Sequence, residues 1–501
     1  MSTFRWKPLH VAIVLLCLVS LCVTQVGAAE ASAPIYVILW FDTEDYILPA
    51  SDDATLRLAR LLTREMIRAI FKIVGERALS FERRGRTDII EALKKHEIGF
   101  HSRWHSVQPT PAMYLSNLGW DDGVAEFDRR EKPGFDDVKR IFGSAPTCYG
   151  QPGSSWGPQS YGAMKQWGIN VYLDVGSHVR LDDKPYYYGD ALNFYQLEHQ
   201  LRARLDSLPA LREAEDRFLA ARKKLQGEGG GIVSIYYHPC EFVHKEFWDG
   251  VNFKYGANPP REEWRQPPMK SPRESQVAFE IFENYVHFMK RFPDVKFVTA
   301  TEAAQLYRDR ARGRAFSAAE LKKIAAAVND NITFQRHGEY TLAASDVFTL
   351  LNDFVAEKTA GRNPTSITLR ATPYGPSNPV PLLAEPVSTD WSQFTRTAAD
   401  VSDFVRKEQR IPTAVWLGSK AVPPESYLNA LAKIAVNLVD GQPPPRTIAL
   451  RPARLAAADH VAADGPNLWS WVIFPRDFRA STMMDLAKRQ AWTLKPAVFG
   501  R

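Results

Sequence analysis

Short apolar runs rich in β-branched and aromatic residues recur along the first part of the chain, and such runs predict buried strands. They lie at residues 35–41, 71–74, 97–100, 169–173, 232–237 and 296–299. Between them, apolar residues recur at helical spacing and predict helices over residues 53–70, 87–95, 201–225 and 276–291. Alternating strands and helices predict an α/β fold with a mainly parallel sheet or barrel.

The composition changes near residue 315, beyond which alanine, proline and threonine are more frequent and glycine is rarer. Helical spacing in this part predicts helices over residues 343–358, 398–409 and 427–439. We therefore predict two domains, an α/β domain of residues 30–314 and a mainly helical C-terminal domain of residues 315–501.

The first 29 residues have the pattern of a secretory signal peptide. Arg5 and Lys7 precede an apolar run over residues 11–23, and the small residues Ala28 and Ala29 follow at a plausible cleavage point. We therefore expect residues 1–29 to be removed and the mature protein to be exported to the periplasm, the cell envelope or the extracellular space. A retained membrane anchor is the alternative, although the run is short for a membrane span.

The composition is that of an ordinary globular protein, with 501 residues of which 45% are hydrophobic and 24% charged. The net charge of +6 is mild, and without a basic run interleaved with aromatic residues we expect no nucleic-acid partner. No feature predicts a stable protein partner. Cys148 and Cys240 follow the predicted signal peptide, and in an exported chain they either pair or remain two buried thiols.

Side chains suited to metal binding or proton transfer follow three of the predicted strands. They are Asp42, Glu44 and Asp45 after the first strand, His101 and His105 after the third, and His238 after a later one. Parallel strands bring such ends together at one edge of the sheet. In a helix, the spacing of His101 and His105 would also place both imidazoles on one face. Two histidines and a carboxylate form a common open metal site, although ordinary loop residues and a helix cap are the alternative.

These residues resemble the motifs of the polysaccharide deacetylase family of carbohydrate esterases. His101, Ser102 and His105 match the family's His-Ser/Thr-x-x-His motif in full. The other motifs are matched in part and follow one another in the family's order. Residues 40–45 resemble the first motif, residues 151–153 the third, Asp174 the fourth and residues 236–238 the fifth. The similarity spans residues 34 to about 305.

The resemblance implies a distorted (β/α) barrel and a metal-dependent deacetylation. His101 and His105, together with Glu44 or Asp45, would bind a divalent metal, with zinc the expected ion. Asp42 would act as the base on metal-bound water that attacks the amide carbonyl, and His238 would protonate the departing amine. A backbone N–H of residues 153–155 would stabilise the oxyanion. Residues expected to bind or orient are Gln151, Pro152, Gly153, Trp156 and Asp174.

Two positions depart from the family pattern. Thr43 stands where the family has its metal-binding aspartate, so the carboxylate must come from Glu44 or Asp45, and both remain open. Gln151 stands where the family often has an arginine that binds the catalytic carboxylate through a charge-assisted hydrogen bond. A glutamine adds no charge, and we therefore expect the pKa of Asp42 to be less depressed.

The C-terminal domain contains a segment, residues 398–438, that is similar to a cell-wall-binding repeat of the pseudomurein-binding type. A weaker copy lies at residues 347–376. The resemblance implies that this domain attaches the protein to envelope glycan or peptide. A generic helical accessory domain is the alternative.

The sequence therefore predicts an exported, metal-dependent hydrolase acting on non-peptide C–N bonds. Its substrate would be an N-acetylated polysaccharide or cell-wall glycan, from which it removes acetyl groups. Two alternatives remain open. One is a glycan-binding protein whose altered first and third motifs have lost catalysis, and the other is a metal amidohydrolase that acts on a non-sugar amide.

Overall fold

The computed structural model describes Met1 and residues 33–500, so the predicted signal peptide, apart from Met1, lies outside the described residues. The strands of the first part are β1 (Ile35–Thr43), β2 (Ile70–Ile73), β3 (Glu97–Phe100), β4 (Val171–Asp174), β5 (Tyr186–Tyr188), β6 (Ala191–Tyr195), β7 (Gln200–Leu201), β8 (Gly231–Tyr237) and β9 (Val295–Val298). The helices are α1 (Pro49–Arg64), α2 (Gly75–Arg83), α3 (Thr87–Leu93), α4 (Pro111–Leu115), α5 (Trp120–Phe142), α6 (Ser160–Trp167), α7 (Leu208–Gly227), α8 (Trp248–Asn252), α9 (Pro272–Lys290) and α10 (Ala300–Leu306). This alternation confirms the predicted α/β class.

β1 is the central strand of the parallel sheet, whose strands have the order β3, β2, β1, β8, β7. β8 pairs with one edge of β1 in parallel, while the other edge pairs in parallel with β9 near its start and with β2 near its end. β3 continues the sheet beyond β2, and β7 continues it beyond β8. Every residue of β1 except Tyr36 is buried, which accounts for its continuous apolar run.

A second group of strands extends the sheet beyond β3. Tyr149 forms a parallel bridge with Phe100 on one side and with Tyr172 of β4 on the other. β4 pairs in parallel with β6, and β5 pairs with β6 as an antiparallel hairpin. Among the described residues no strand pair joins β7 back to this group, so strand pairing leaves the sheet open. The parallel sheet is confirmed, and its closure into a barrel stays a prediction.

The region after α10 contains two copies of one element order: strand, helix, hairpin, helix, strand. The first copy is β10 (Ala315–Ser317), α11 (Ala318–Ala326), β12 (Gln335–His337), β13 (Tyr340–Leu342), α12 (Ala344–Thr359) and β14 (Ser366–Thr368), with β11 (Asn331–Ile332) before its hairpin. The second is β15 (Val387–Asp390), α13 (Trp391–Glu408), β16 (Val415–Leu417), β17 (Lys420–Val422), α14 (Pro424–Val439) and β18 (Thr447–Leu450). In each copy the first and last strands pair antiparallel.

The two copies pack together around a core of their own. This core draws on buried apolar side chains from Ala311 to Leu450 and on Trp492 near the end of the chain, and α12 packs on both α13 and α14. The repetition places its first copy at residues 315–368, whereas the predicted weaker copy lies at residues 347–376 and stays a prediction. It does not test the resemblance to a cell-wall-binding repeat, which stays a prediction.

The last part of the chain returns to the first core. It contains β19 (Arg454–Leu455), α15 (Ser481–Gln490) and β20 (Lys495–Pro496), and β20 pairs antiparallel with β5. Buried residues of this segment that join the core around the parallel sheet include Ala457, Leu468, Trp469, Phe474, Met483 and Leu494. The final segment of the predicted C-terminal domain therefore packs mainly against the first core, while the predicted bounds of residues 315–501 stay a prediction.

Two further findings concern the predicted cellular context. Cys148 and Cys240 are both buried free thiols, so of the two alternatives left open for these cysteines the structure shows the unpaired one. Among the helices of the described residues, none has the length and apolar character needed to cross a membrane.

Candidate active site

Asp42 lies at the end of β1, directly beside Lys72 of β2 in the parallel register. The Lys72 ammonium is fully buried and lies 2.9 Å from Asp42 Oδ1 and 2.6 Å from Asp174 Oδ2. It also donates to the Leu173 carbonyl at 2.8 Å and lies 4.1 Å from the centroid of the Trp40 ring. One buried lysine therefore compensates the charge of two buried carboxyl groups.

The charges around Asp42 favour its ionised form. Burial by itself raises the pKa of Asp42, but His101, Lys72 and His238 lower it, and the net pKa lies below its usual value. At neutral pH the positive charges beside Asp42 are those of Lys72 and His238. Burial dominates at Asp174 and raises its pKa to about 7. Lys72 supplies a positive charge 2.9 Å from Asp42 Oδ1 that Gln151 does not, and the expectation of a less depressed pKa than an arginine would give stays a prediction.

Two glycines make room for the Lys72 side chain. A Cβ atom on Gly99 would lie 2.9 Å from Lys72 Cγ and 2.7 Å from Cys148 Sγ. A Cβ atom on Gly150 would lie 2.1 Å from Lys72 Nζ and 2.2 Å from Asp174 Oδ2. Because the interior is closely packed, neither position accepts a larger residue while Lys72 keeps its contacts.

The loop after β3 carries His101 and His105, and it is not helical. Ser102 and His105 have φ values of 66° and 57°, which lie in the left-handed region. The predicted helical placement of the two imidazoles is therefore wrong. The loop nevertheless brings the two rings together, with centroids 5.1 Å apart.

Both histidines have one ring nitrogen engaged outside the candidate metal position. His101 Nδ1 donates to the Gly150 carbonyl at 3.0 Å, and His105 Nδ1 lies 2.7 Å from the Ser106 hydroxyl oxygen. Their Nε2 atoms remain for a ligand, an arrangement that is typical of metal-binding histidines. Burial lowers the pKa of both, to about 4 for His105, so both are neutral at neutral pH.

Glu44 completes this set of ligands. Its Oε2 lies 2.7 Å from His105 Nε2, and Glu44, His101 and His105 each offer a ligand atom within 4.8 Å of the others. In the described structure Glu44 Oε1 and His105 Nε2 are buried without a well-formed hydrogen bond. Burial raises the pKa of Glu44 well above its usual value. Because unpartnered buried polar atoms are costly, a divalent cation fits this set of donors.

Asp45, the other open candidate for the carboxylate ligand, has different neighbours. Its Oδ1 accepts from the backbone N–H groups of Ile47 and Leu48 at 3.0 and 3.1 Å. The metal-binding side chains closest to it are Cys240 and His244 rather than His101 and His105. The geometry therefore favours Glu44 over Asp45 as the ligand.

His238 follows β8, and its Nε2 lies 3.7 Å from Asp42 Oδ2. Its Nδ1 bonds to Glu241 Oε1 at 2.5 Å, and Glu241 is in turn paired with Arg202. Burial lowers the pKa of His238, but Glu241 and other nearby carboxylates raise it to about 9. His238 is therefore protonated at neutral pH, and Glu241 rather than Asp174 orients it.

These side chains meet at one cavity of about 750 Å³. The predicted site residues that line it are Asp42, Glu44, His101, His105, Gln151, Gly153, Asp174 and His238. Asp45, Pro152 and Trp156 do not line it. Trp156 is fully buried and stacks on His178 with centroids 5.0 Å apart, and its predicted role in binding or orienting substrate stays a prediction. The large indole packs inward from a loop that the sequence pattern places at the surface.

The Gln151 side-chain amide donates its hydrogen bonds to backbone carbonyls and none to Asp42. The acceptors are the carbonyls of Gly153 and Val175, at 3.1 and 3.2 Å. The Ser155 N–H, one of the backbone donors predicted to stabilise an oxyanion, donates to the Pro152 carbonyl at 2.9 Å. Pro152 and Ser155 therefore close a turn, and only the earlier part of this loop borders the cavity.

Residues of the returning C-terminal segment, between positions 467 and 472, form one wall of the cavity. The Trp471 ring meets the His105 ring edge-on at 5.1 Å, and its indole N–H donates to Asp249 Oδ2. A Cβ atom on Gly153 would lie 2.2 Å from the Trp471 ring. The glycine therefore allows the indole to lie against the loop beside the candidate metal ligands.

Sequence reasoning missed Lys72, Glu241 and Trp471. Lys72 carries a usable signal, because it is the charged residue inside an otherwise apolar run at residues 70–74, and a buried charge requires a partner. Glu241 also carries one, since it follows His238 by three residues in a short turn. Trp471 has no local signal, because its partner Asp249 is 222 residues away along the chain.

Comparison with known proteins gives no family and only remote structural likenesses. No protein-family model matches the chain, and no curated protein matches its sequence. A 4-α-glucanotransferase structure from Thermococcus litoralis is 10% identical, with a TM-score of 0.37 over 56% of this chain and 41% of that one. A Mycobacterium smegmatis structure assigned as a polysaccharide deacetylase is 14% identical, with a TM-score of 0.35 over 55% and 91%. A family 4 carbohydrate esterase from Streptomyces lividans, solved with acetate, is 14% identical, with a TM-score of 0.26 over 50% and 88%.

Proposed function

We propose that this protein is a metal-dependent hydrolase that removes acetyl groups from N-acetylated glycans. The observation that carries the proposal is the meeting of three chemical roles in one cavity. Asp42 is an ionised carboxylate, Glu44, His101 and His105 form a set of metal ligands, and His238 is a protonated histidine. Hydrolysis of an amide requires these roles, since water must be activated and the amine must leave protonated.

Asp42 is suited to accept a proton from the attacking water. Lys72 binds its Oδ1, while its Oδ2 lies on the side of His238. The pKa below the usual value keeps this carboxylate ionised at neutral pH, which is the state that a general base requires.

Glu44, His101 and His105 would hold a divalent metal, with zinc the expected ion for two imidazoles and one carboxylate. Such a metal, when bound, lowers the pKa of water and polarises a carbonyl group. The chain prepares this site by keeping both imidazoles neutral and by fixing their Nδ1 atoms through Gly150 and Ser106.

His238 is suited to protonate the leaving amine. Its Nδ1 proton is held by Glu241, so the proton available to a substrate is the one on Nε2. The pKa of about 9 keeps both nitrogens protonated at neutral pH. His238 and Asp42 border the same cavity, where one accepts a proton and the other donates one.

The cavity also offers surfaces that suit a sugar. Tyr236, Phe247 and Trp471 line it with aromatic faces, and the catalytic groups supply polar atoms between them. A volume of about 750 Å³ lies within the roughly 300–1,000 Å³ that is typical of sites for small molecules. We therefore assign the cavity to a short stretch of glycan that carries an acetamide group.

The test of the proposed function combines metal content with acetate release from acetylated chitooligosaccharides. The wild-type protein is expected to hold metal and to release acetate, and His101→Ala/His105→Ala is expected to lose the metal of this site and the activity. His337→Ala, a change at a histidine of β12 that belongs to no candidate metal group of the described residues, serves as the control. Metal binding without acetate release would move the proposal to a non-sugar amide, and absence of metal from the wild type would contradict an enzymatic role.

We expect Glu241→Gln to move the alkaline limit of activity to lower pH. The protonated form of His238 is the active one, so the wild-type rate should fall as the pH rises through about 9. Removing the Glu241 charge takes away the main influence that raises the pKa of His238, and the fall should begin nearer neutrality. The measurement is kcat/KM for acetate release against pH.

Glu246→Gln is the matched control for this change, because Glu246 borders the same cavity and loses the same charge. It should leave the alkaline limit in place. An identical alkaline limit in Glu241→Gln and the wild type would show that His238 does not titrate in the rate-determining step.

We expect Trp471→Ala to raise KM about tenfold with a smaller effect on kcat, since an aromatic contact contributes about 0.5–1.5 kcal/mol beyond its buried area. Trp471 forms the cavity wall beside His105 without taking part in proton transfer. The measurement is steady-state kinetics on acetylated chitooligosaccharides. Trp416→Ala, which removes an exposed indole of the repeated region, is the control and should leave KM unchanged. An unchanged KM in Trp471→Ala would show that Trp471 does not contact the substrate.

The proposal extends to the location of the protein. The signal-peptide pattern of residues 1–29 supports export to the periplasm or the cell envelope, where N-acetylated glycans are found. In that setting the repeated region of residues 315–450 would serve as an accessory unit that attaches the enzyme to envelope glycan.

A further inference from the structure

A second cluster of metal-binding side chains lies beside the candidate active site, and the proposed function makes no use of it. Asp45, Cys240 and His244 each offer a ligand atom within 4.8 Å of the others. All three are buried, with exposed fractions of 1%, 1% and 3%. A carboxylate, a thiol and an imidazole at this separation form a donor set of the kind that binds zinc.

The backbone holds each member of the cluster in place. Cys240 and His244 belong to the turn that follows β8, in which the His244 N–H donates to the Cys240 carbonyl at 3.0 Å. Asp45 belongs to the loop that follows β1, the neighbouring strand, and its Oδ1 is fixed by the N–H groups of Ile47 and Leu48. The cluster therefore joins the two loops that follow the central strands.

The cluster contains polar atoms that the described residues leave without partners. Asp45 Oδ2 and His244 Nδ1 are buried without a hydrogen bond, and the Cys240 thiol is free. Buried polar atoms normally have partners, and a group of them that converges calls for a bound ion or water. The Arg77 guanidinium acts on Asp45 only through its charge, because its ion-pair partner is Asp52, 2.5 Å away.

We propose that Asp45, Cys240 and His244 bind a second divalent cation of the thiophilic class, such as zinc, in a structural role. Binding requires loss of the thiol proton, after which the carboxylate and the thiolate balance the charge of the ion. The bound ion connects the turn after His238 with the loop that carries Glu44 and follows directly on the end of β1, where Asp42 lies. This site is independent of the proposed function, because it shares no ligand with the set of Glu44, His101 and His105.

The test is metal content per chain in the full-length mature protein loaded with zinc and then freed of excess ion. The wild type should hold two ions, and Cys240→Ser and His101→Ala/His105→Ala should each hold one. Cys148→Ser is the matched control, because Cys148 is the other buried free thiol of the described residues, and it should keep both ions. The double histidine variant removes ligands of the candidate active site only. Metal bound at the second site can therefore be measured even if the proposed function is wrong.

A second measurement on the wild type avoids any dependence on the folding of a variant. Cobalt substitution should give a thiolate-to-metal absorption band in the near ultraviolet, since Cys240 is the thiol within this cluster and the candidate active site contains none. The band should persist in His101→Ala/His105→Ala and in Cys148→Ser. One ion per chain that survives Cys240→Ser, together with no thiolate band, would overturn the proposal.

Discussion

Replacing Asp42 with asparagine is expected to slow acetate release by roughly 100- to 10,000-fold, the usual contribution of a general base. Asparagine has nearly the same shape but cannot accept a proton from water at neutral pH. Metal content should stay at the wild-type level, because Asp42 lies outside the ligand set of Glu44, His101 and His105. The measurement is kcat for acetate release together with metal content on the same sample.

Asp174→Asn is the matched control for that substitution. Asp174 also pairs with Lys72, at 2.6 Å, and the change removes the same functional group from the other side of the lysine. The Asp174 variant should keep most of its activity, because Asp174 is not the carboxyl group that faces His238. Equal losses in both variants would mean that the charge around Lys72, and not proton transfer by Asp42, controls the rate.

Replacing Lys72 with methionine is expected to cost about 3–5 kcal/mol of folding stability, as when one partner of a buried ion pair is removed. Methionine keeps the length of the side chain but leaves Asp42 and Asp174 buried without the ammonium. The pKa of Asp42 should rise, since burial then acts without the opposing charge of Lys72, and activity at neutral pH should fall with it. The measurements are urea unfolding and kcat against pH.

The double variant Lys72→Met/Asp174→Asn separates the two effects. Removing one of the two carboxyl groups that lack a counterion should restore part of the stability lost in Lys72→Met. The acid limit of activity should stay at a higher pH than in the wild type. Wild-type stability in the single variant would contradict the role of Lys72 as the shared counterion. A shifted acid limit is the result that a merely structural lysine would not produce.

Local sequence patterns predict the centre of the sheet because β1, β2, β3 and β8 are buried on both faces over nearly all of their residues. The predicted strand at residues 97–100 coincides with β3, and those at 35–41 and 232–237 lie within β1 and β8. The hairpin of β5 and β6 was not predicted, since its tyrosines lie between aspartate and glycine residues that are typical of loops. The return of the last segment was not predictable either, because it depends on contacts between distant parts of the chain.

The candidate site shows the same division between local and distant information. Asp42, His101 and His238 reach one cavity because each follows a strand of the same parallel sheet, which is a local signal. The partner of Asp42 depends on the register between β1 and β2, which places Lys72 beside it and which no motif encodes. The choice between Glu44 and Asp45 depends on the backbone of one loop.

Because the last segment of the chain packs on the first unit, it also determines when during synthesis that unit can finish folding. A chain is synthesised from its N-terminus, and domains generally fold as they emerge. Here β5 lacks its partner β20, and the cavity lacks the Trp471 wall, until both repeats have been made. The cavity is therefore complete only after the last segment has been synthesised and has packed on the first unit. If the chain is exported as we propose, a partly synthesised chain inside the cell lacks the complete cavity.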